Sequence, residues 1–279
     1  MSDLKCCIVS CEQPIDANYW ESQYVAQTTK WDLGTIAPPL QEFINTITNK
    51  DCSILIPGCG NSYEAEYLLA NGFSNITVID IAPSPVAALT KKHANKPNIK
   101  IIQGDFFTHS GQYDCIIEQT FFCAIPPFMR QKYLWKMHQL LAKNGILAGL
   151  FFNRNFEAGP PFGGSQKEYE ALFKNAFRIQ KMEIAQNSIS PRANSELFFT
   201  FEKNTNVIVN LYELKGVTCS KCAETIDSKL TDIEGILQVS ISTNFQEIVI
   251  VSQSMIAIEK LQEALLYDAN YSIAPQSTI

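Results

Sequence analysis

The chain has 279 residues, a net charge of −6 and a hydrophobic fraction of 46%, enough apolar material for one large domain or two unequal ones. The acidic balance gives no general electrostatic case for nucleic acid or an anionic membrane. Nine cysteines are too sparse for a disulfide scaffold, and no apolar run approaches the length of a membrane span.

Residues 1 to about 50 carry aromatic and turn signals: Tyr19-Trp20, Tyr24, Trp31-Asp32-Leu33-Gly34 and Pro38-Pro39. No basic region followed by an apolar stretch occurs at the start, so no signal peptide is expected and a reducing cytoplasm is the default location. Cys6, Cys7 and Cys11 lie in this region; extra metal ligands or free thiols are both open to them. Pro39 is placed to start a short helix through Ile47. From Ser53 onward, strand-like runs at 53–57, 76–80, 99–103, 113–118 and 146–152 alternate with helix-like stretches at 62–71, 84–94 and 127–143. That alternation predicts a mostly parallel sheet with helices on both faces. A helix at 167–176 follows, then two closing strands at 177–184 and 196–202 that suit antiparallel pairing.

The pattern breaks at the polar segment Lys203-Asn204-Thr205-Asn206. The expected division is 1–203, a linker at 204–206, and 207–279. The last part reads as strand (207–214), loop (215–222), helix (223–231), strand (236–242), strand (246–252), helix (256–266) and a short strand near 270–274. That βαββαβ order predicts a small α+β, ferredoxin-like module.

Two constellations carry chemistry. The first is Ile54-Leu55-Ile56-Pro57-Gly58-Cys59-Gly60 followed by Val78-Ile79-Asp80. An apolar strand enters a glycine turn, and a second strand ends on an acid suited to ribose hydroxyls. The third glycine of dinucleotide binders is absent, which favours an adenosine cofactor without a pyrophosphate. Gly104-Asp105-Phe106-Phe107 ends the third strand; Asp105 can accept from an adenine amino group and Phe106 can pack on its ring.

Asp114-Cys115-Ile116-Ile117-Glu118-Gln119-Thr120-Phe121-Phe122-Cys123-Ala124-Ile125 resembles the halide/thiol methyltransferase branch of the thiopurine S-methyltransferase family. So do Trp31-Asp32-Leu33-Gly34, Leu55-Ile56-Pro57-Gly58-Cys59-Gly60, Asp105-Phe106-Phe107 and Gly159-Pro160-Pro161-Phe162, in the same order, across roughly residues 19–202. The resemblance implies a Rossmann-like class I fold with a mostly parallel seven-stranded sheet. It implies S-adenosylmethionine as methyl donor and a small soft thiol, halide or metalloid anion as acceptor. Cofactor contacts then fall on Trp20, Trp31, Gly58, Asp80, Asp105 and Phe106, with Gln119 on the adjoining wall. Tyr24 stands where the plant-type pattern has tryptophan, and Gln119 where it has tyrosine. Phe121, Phe122, Phe162 and Arg192 are acceptor-pocket candidates, Arg192 for holding an anion. No catalytic base is assigned, because a soft anion is already a good nucleophile and alignment does most of the work.

The second constellation is Gly216-Val217-Thr218-Cys219-Ser220-Lys221-Cys222. Two cysteines three apart at a helix N-terminus can point at one ion, and the helix dipole and Lys221 favour thiolate. Two thiolates suit a soft, low-coordinate ion such as Cu(I), and less well a closed tetrahedral zinc site; zinc, cadmium and mercury stay open as alternatives. A redox pair is the rival reading. Across 207–274 the module resembles a heavy-metal-associated domain, with Val217 in place of methionine and Asn270-Tyr271 in place of glycine-tyrosine.

The reading is therefore a methyltransferase joined to a soft-metal module, with detoxification as a role that would unite them. A small-molecule substrate and a metal ion are the expected partners, and the oligomeric state stays open. A methyltransferase for larger heterocyclic thiols, or a metal chaperone or sensor on an inactive methyltransferase fold, are the alternatives.

Overall fold

The computed structural model describes residues 14–266 and 270–276. Cys6, Cys7 and Cys11 lie outside the described residues. A seven-stranded sheet is built from β1 (Ile54–Pro57), β2 (Ile76–Asp80), β3 (Ile99–Gln103), β4 (Tyr113–Gln119), β5 (Leu141–Phe152), β6 (Phe177–Ile184) and β7 (Glu196–Lys203). Its order is β3-β2-β1-β4-β5-β7-β6. All neighbours run parallel except at β7, which is antiparallel to both β5 and β6. β1 and β2 are buried throughout, as strands covered on both faces must be.

On one face, α2 (Pro38–Thr46), α3 (Tyr63–Ala70) and α4 (Pro83–Lys92) pack through Leu40, Ile44, Ala65, Leu68 and Leu89. On the other, α5 (Arg130–Leu140) and α6 (Gln166–Phe173) contribute Tyr133, Leu134, Met137, Tyr169 and Phe173 to an aromatic-rich layer.

Two elements differ from the sequence-based expectation. An extra helix, α1 (Ala17–Val25), forms near the start. It buries none of its residues fully, so it has no apolar stripe to read. It is held instead by its cap, Asp16 accepting from Tyr19 N, and by Glu21, which accepts from the Ser84 backbone at 2.9 Å and from the Ser84 hydroxyl. The helix expected at 127–143 is a 3-10 turn over Pro127–Met129 and then α5, which stops at Leu140. Leu141 already pairs with Tyr113 as the start of β5. Asn144, at φ 62°, is a kink inside the strand and not a helix end.

The second sheet is β8 (Ile208–Lys215), β9 (Ile236–Ile241), β10 (Glu247–Ser252) and β11 (Ser272–Pro275), in the order β11-β8-β10-β9, all antiparallel. With α7 (Ser220–Thr231) and α8 (Ile258–Leu265) this is the expected βαββαβ topology. One sheet face meets the two helices, with Tyr212, Leu214, Ile248 and Ile250 against Ile226, Leu230, Leu261 and Leu265. The opposite face carries Val209, Leu211, Val249 and Val251, and these join the same core as Leu134 and Met137 of α5.

α5 is thus buried between two sheets, which explains why Gln131, Lys136 and His138 are buried along with its apolar residues. Amide side chains fasten the seam in both directions. Gln131 Nε2 donates to Ser240 Oγ and the Ile241 carbonyl, each at 3.2 Å. Gln238 Nε2 donates to the Ala171 and Leu172 carbonyls at 3.1 and 2.9 Å. Burying one apolar face of each sheet on a shared helix makes the two parts thermodynamically dependent. Leu211→Ala is expected to cost about 2–5 kcal/mol and to shift one calorimetric unfolding transition of the whole chain. Two separate transitions, only one of them shifted, would contradict the shared core.

Candidate active site and cysteine loop

A cavity of about 810 Å³ opens at the carboxyl ends of the parallel strands. Its floor is the turn after β1. Gly58 and Gly60 have φ of 55° and 49°, which side-chain-bearing residues rarely adopt. A Cβ on Gly58 would lie 2.3 Å from the Phe121 ring. Asp80, buried at the end of β2, accepts from Gly60 N at 2.8 Å through one oxygen and from Ala82 N at 2.9 Å through the other. It therefore ties the turns after β1 and β2 together. Burial raises its pKa, and those backbone donors oppose the rise.

The N-terminal segment closes one side. Trp20 and Tyr24 meet Trp31 edge to face at 5.4 and 5.8 Å, and all three line the cavity. Asp32 fixes the segment by accepting from Gly34 N at 2.7 Å, from Tyr63 Oη at 3.3 Å and from Asn61 Nδ2. Asp105 caps a short 3-10 turn by accepting from Phe107 N at 2.8 Å. Phe106 behind it is buried against Phe121, ring centroids 5.0 Å apart.

The turn after β4 separates neighbouring residues. Gln119 ends the strand and lines the cavity, and Thr120 takes φ 60°. Glu118 is fully buried and accepts from Phe121 N and Phe122 N, each at 3.0 Å, through Oε2. This clasp sends Phe121 to the cavity and Phe122 into the core, where its ring lies 4.5 Å from Phe151 and 4.9 Å from Tyr133. Phe122 therefore does not line the pocket. Neither does Phe162: its N–H donates to Cys123 O at 2.7 Å and its ring packs against Gly159, leaving Pro160 and Pro161 to face the cavity.

Arg192 does reach the cavity, but its guanidinium is already engaged. Nη1 donates to Glu196 Oε1 at 3.1 Å and Nη2 to the Trp31 carbonyl at 2.8 Å. It bolts the N-terminal aromatic segment to β7. Four charged residues of the cavity went unread in the sequence, Asp16, Lys30, Glu64 and Arg154. Glu64, in the first turn of α3, is fully buried with Oε1 unpartnered, and burial pushes it up to about 7. An acid just inside the helix after a glycine turn was the available signal. Arg154, just past β5, has its guanidinium 4.8 Å from the Phe156 ring. No motif marks it.

In the second sheet's module, Cys219 caps α7, its Sγ accepting from Cys222 N at 3.2 Å. The two cysteines are joined as a disulfide, with Cα atoms 5.3 Å apart, where the reading above expects free metal-binding thiols. The same closeness at a helix N-terminus that permits the bond lets both sulfurs, once reduced, face one ion. Among the described residues no group of three or more His, Cys, Asp or Glu side chains could hold a metal ion. Val217 is buried in the module's core.

The strand order with one reversed strand, and a cavity at the glycine turn, define the class I methyltransferase fold. The family model for thiopurine S-methyltransferase matches residues 15–209, and that for the heavy-metal-associated domain matches residues 211–271. The chain belongs to the thiopurine S-methyltransferase family and is an S-adenosylmethionine-dependent methyltransferase carrying a C-terminal heavy-metal-associated domain. It is 31% identical over 193 residues to a probable thiol methyltransferase 2 of Arabidopsis thaliana, covering 67% of this chain and 85% of that one. It is 25% identical to thiocyanate methyltransferase 1 of Brassica oleracea, covering 68% and 87%. It is 23% identical to a thiopurine S-methyltransferase of Vibrio vulnificus, covering 70% and 98%. Two solved structures share the fold. One is a Burkholderia thailandensis 1,6-didemethyltoxoflavin-N1-methyltransferase with S-adenosylhomocysteine bound (TM-score 0.56, 16% identity, 67% and 87% covered). The other is a magnesium protoporphyrin IX methyltransferase from Synechocystis (TM-score 0.53, 14% identity, 67% and 98% covered).

The buried acids make a pH prediction. Glu118 is pushed up to about 8 from 4.5 by loss of solvation, against the pull of two backbone donors. Between those values the unfolded chain ionises this group while the folded chain keeps the proton, so stability falls as pH rises through the window. Glu64 adds the same sign up to about 7. Glu118→Gln should therefore flatten the fall in urea midpoint between pH 7 and 8; an unchanged slope there would contradict the assignment.

Proposed function

We propose that this cavity binds S-adenosylmethionine and transfers its methyl group to a small soft nucleophile: a thiolate, halide or metalloid anion. The observation that carries the reading is the pairing of a side-chain-free glycine floor with Asp80, Asp105 and an aromatic enclosure in one cavity. A Cβ at Gly58 would strike the Phe121 ring, so only glycine keeps that ring and the floor in place, and the residues present fit an adenosine ligand laid along the turn. In this reading Asp80 accepts from the ribose, since a carboxylate has about four acceptor positions and its bonds to Gly60 N and Ala82 N leave capacity. Asp105 and Phe106 receive the adenine, and Gln119 forms the adjoining wall. Trp20, Tyr24 and Trp31 offer ring faces to a cation.

The bound donor supplies an electrophilic methyl on a sulfonium. The chain aligns the acceptor in line with that methyl and excludes water, and it needs no strong base when the acceptor arrives as an anion. The Arabidopsis and Brassica relatives are named for methylation of a thiol and of thiocyanate. A larger heterocyclic thiol is the second reading, favoured by the cavity's volume and by the Vibrio relative's name.

We also propose a division into a methyltransferase part, residues 1–203, and a metal part, 207–279. Cys219 and Cys222 in their reduced form would hold the soft ion, in keeping with a reducing cytoplasm. Joint handling of thiophilic species in detoxification would give the fusion its use.

Labelled S-adenosylmethionine, the full chain and a panel of iodide, thiocyanate, bisulfide, selenite, tellurite and thiopurines test the acceptor class. The expected kcat/KM for the small anions exceeds that for thiopurines by roughly ten-fold or more, the worth of one well-placed contact; the opposite order overturns the small-acceptor reading. For the module, anaerobic Cu(I) titration should give one bound ion in the reduced protein and none in Cys219→Ser. Equal binding by both removes Cys219 as a ligand.

A further inference from the structure

We propose that Arg154, and not Arg192, holds the anionic acceptor; this rests on the methyltransferase reading of the cavity above. The cavity's carboxylates and its two arginines lie apart, with Lys30 the one cation among the N-terminal lining. Asp32, Glu64, Asp80 and Asp105 all belong to the side formed by the N-terminal segment and the ends of β1, β2 and β3. Arg154 and Arg192 stand on the side formed by β5 and β7. With the adenosine taken up by Gly58, Asp80 and Asp105, the space left for an acceptor is bordered by the arginine side.

Of these arginines one is satisfied and one is not. Arg192 is buried, ion-paired to Glu196 and hydrogen-bonded to the Trp31 carbonyl. A second anion would have to compete with a desolvated carboxylate already in place. Arg154 takes part in none of the ion pairs among the described residues.

Its main chain is nevertheless fixed. The Arg154 carbonyl accepts from Gly164 N at 3.1 Å, and Gly163 lies so close that a Cβ there would come 1.8 Å from that oxygen. Gly163 O in turn accepts from Arg130 Nη2 at 2.6 Å. A charged head on a free side chain, set on an anchored backbone at the cavity wall, is the arrangement that orients a ligand without being consumed by the fold.

The chemistry selects the kind of anion. The guanidinium rests on the Phe156 ring, so part of its surface is already turned from water. Guanidinium is more weakly hydrated than ammonium, and it pairs with least desolvation cost with a large, polarisable anion. Thiocyanate, iodide and bisulfide are of that kind; sulfate and phosphate are strongly hydrated. A sulfonium and an unmatched guanidinium in one cavity repel each other, and an anion between them is attracted to both. In the transfer, a lone pair on the acceptor forms the new bond to the methyl carbon as the carbon–sulfur bond breaks. That electron pair stays on the donor sulfur, the acceptor loses its charge, and no proton moves.

The test compares wild type, Arg154→Gln, Arg154→Lys and Lys30→Gln, the last because Lys30 also lines the cavity. Arg154→Gln should raise KM for thiocyanate and iodide roughly ten-fold or more, the scale of a lost charge-assisted contact. S-adenosylmethionine affinity should stay the same or tighten, so that the effect is confined to the anionic acceptor. Arg154→Lys should recover part of the loss. Unchanged KM for both anions in Arg154→Gln overturns the proposal while leaving the methyltransferase reading intact, and so does an effect that appears in Lys30→Gln instead. Absence of turnover with every acceptor in wild type overturns the reading and the proposal together.

Discussion

Everything at the catalytic edge depends on the space where Gly58 has no side chain. The Phe121 ring comes within 2.3 Å of where its Cβ would be, so the floor of the cavity is backbone against ring. Phe121 is delivered there by Glu118, whose buried carboxyl gathers the two backbone donors of the turn after β4. The same turn leads through Pro126 and the 3-10 segment into α5. That helix then carries the second sheet on its far side. One missing methyl group, one buried acid and one helix therefore link the cofactor floor to the metal module, without any contact between the cysteine loop and the cavity being needed.

Much of the architecture is legible in the chain because β1 and β2 are buried throughout and read as plain apolar runs, and the edge strand β3 keeps three isoleucines. Ile76 to Asp80 and Ile99 to Gln103 fall where the residues predict, and so does the βαββαβ order. The glycine turn and Asp80 are legible for a local reason: φ near 50° and a strand-end acid need particular residue types. What is not legible depends on tertiary partners. α1 has no stripe because Glu21 and Asp16 hold it. Phe121 and Phe122 are identical as letters, and only the Glu118 clasp parts them. Arg192 and Arg154 are likewise identical as letters, and what parts them is the buried Glu196 and the Trp31 carbonyl beside the first.

The second sheet shows the same limit from another direction. Val209, Leu211, Val249 and Val251 read in sequence as ordinary strand residues, and a free-standing module would show that face to water or to a partner. Here the face is covered by α5, with Gln131 and Gln238 fastening it from both sides. The module's exposed chemistry is thereby confined to the far end, where Cys219 and Cys222 sit at the start of α7. The cysteine loop and the cavity thus belong to two sheets joined through one shared core.

The central claim is that the Gly58 floor forms the donor site, and calorimetric titration with S-adenosylhomocysteine tests it most directly. Wild type should bind one equivalent, and Gly58→Ala should lose that binding while far-ultraviolet circular dichroism shows the fold retained, because the displaced Phe121 ring would occupy the adenosine's place. Undiminished binding by folded Gly58→Ala would contradict the account.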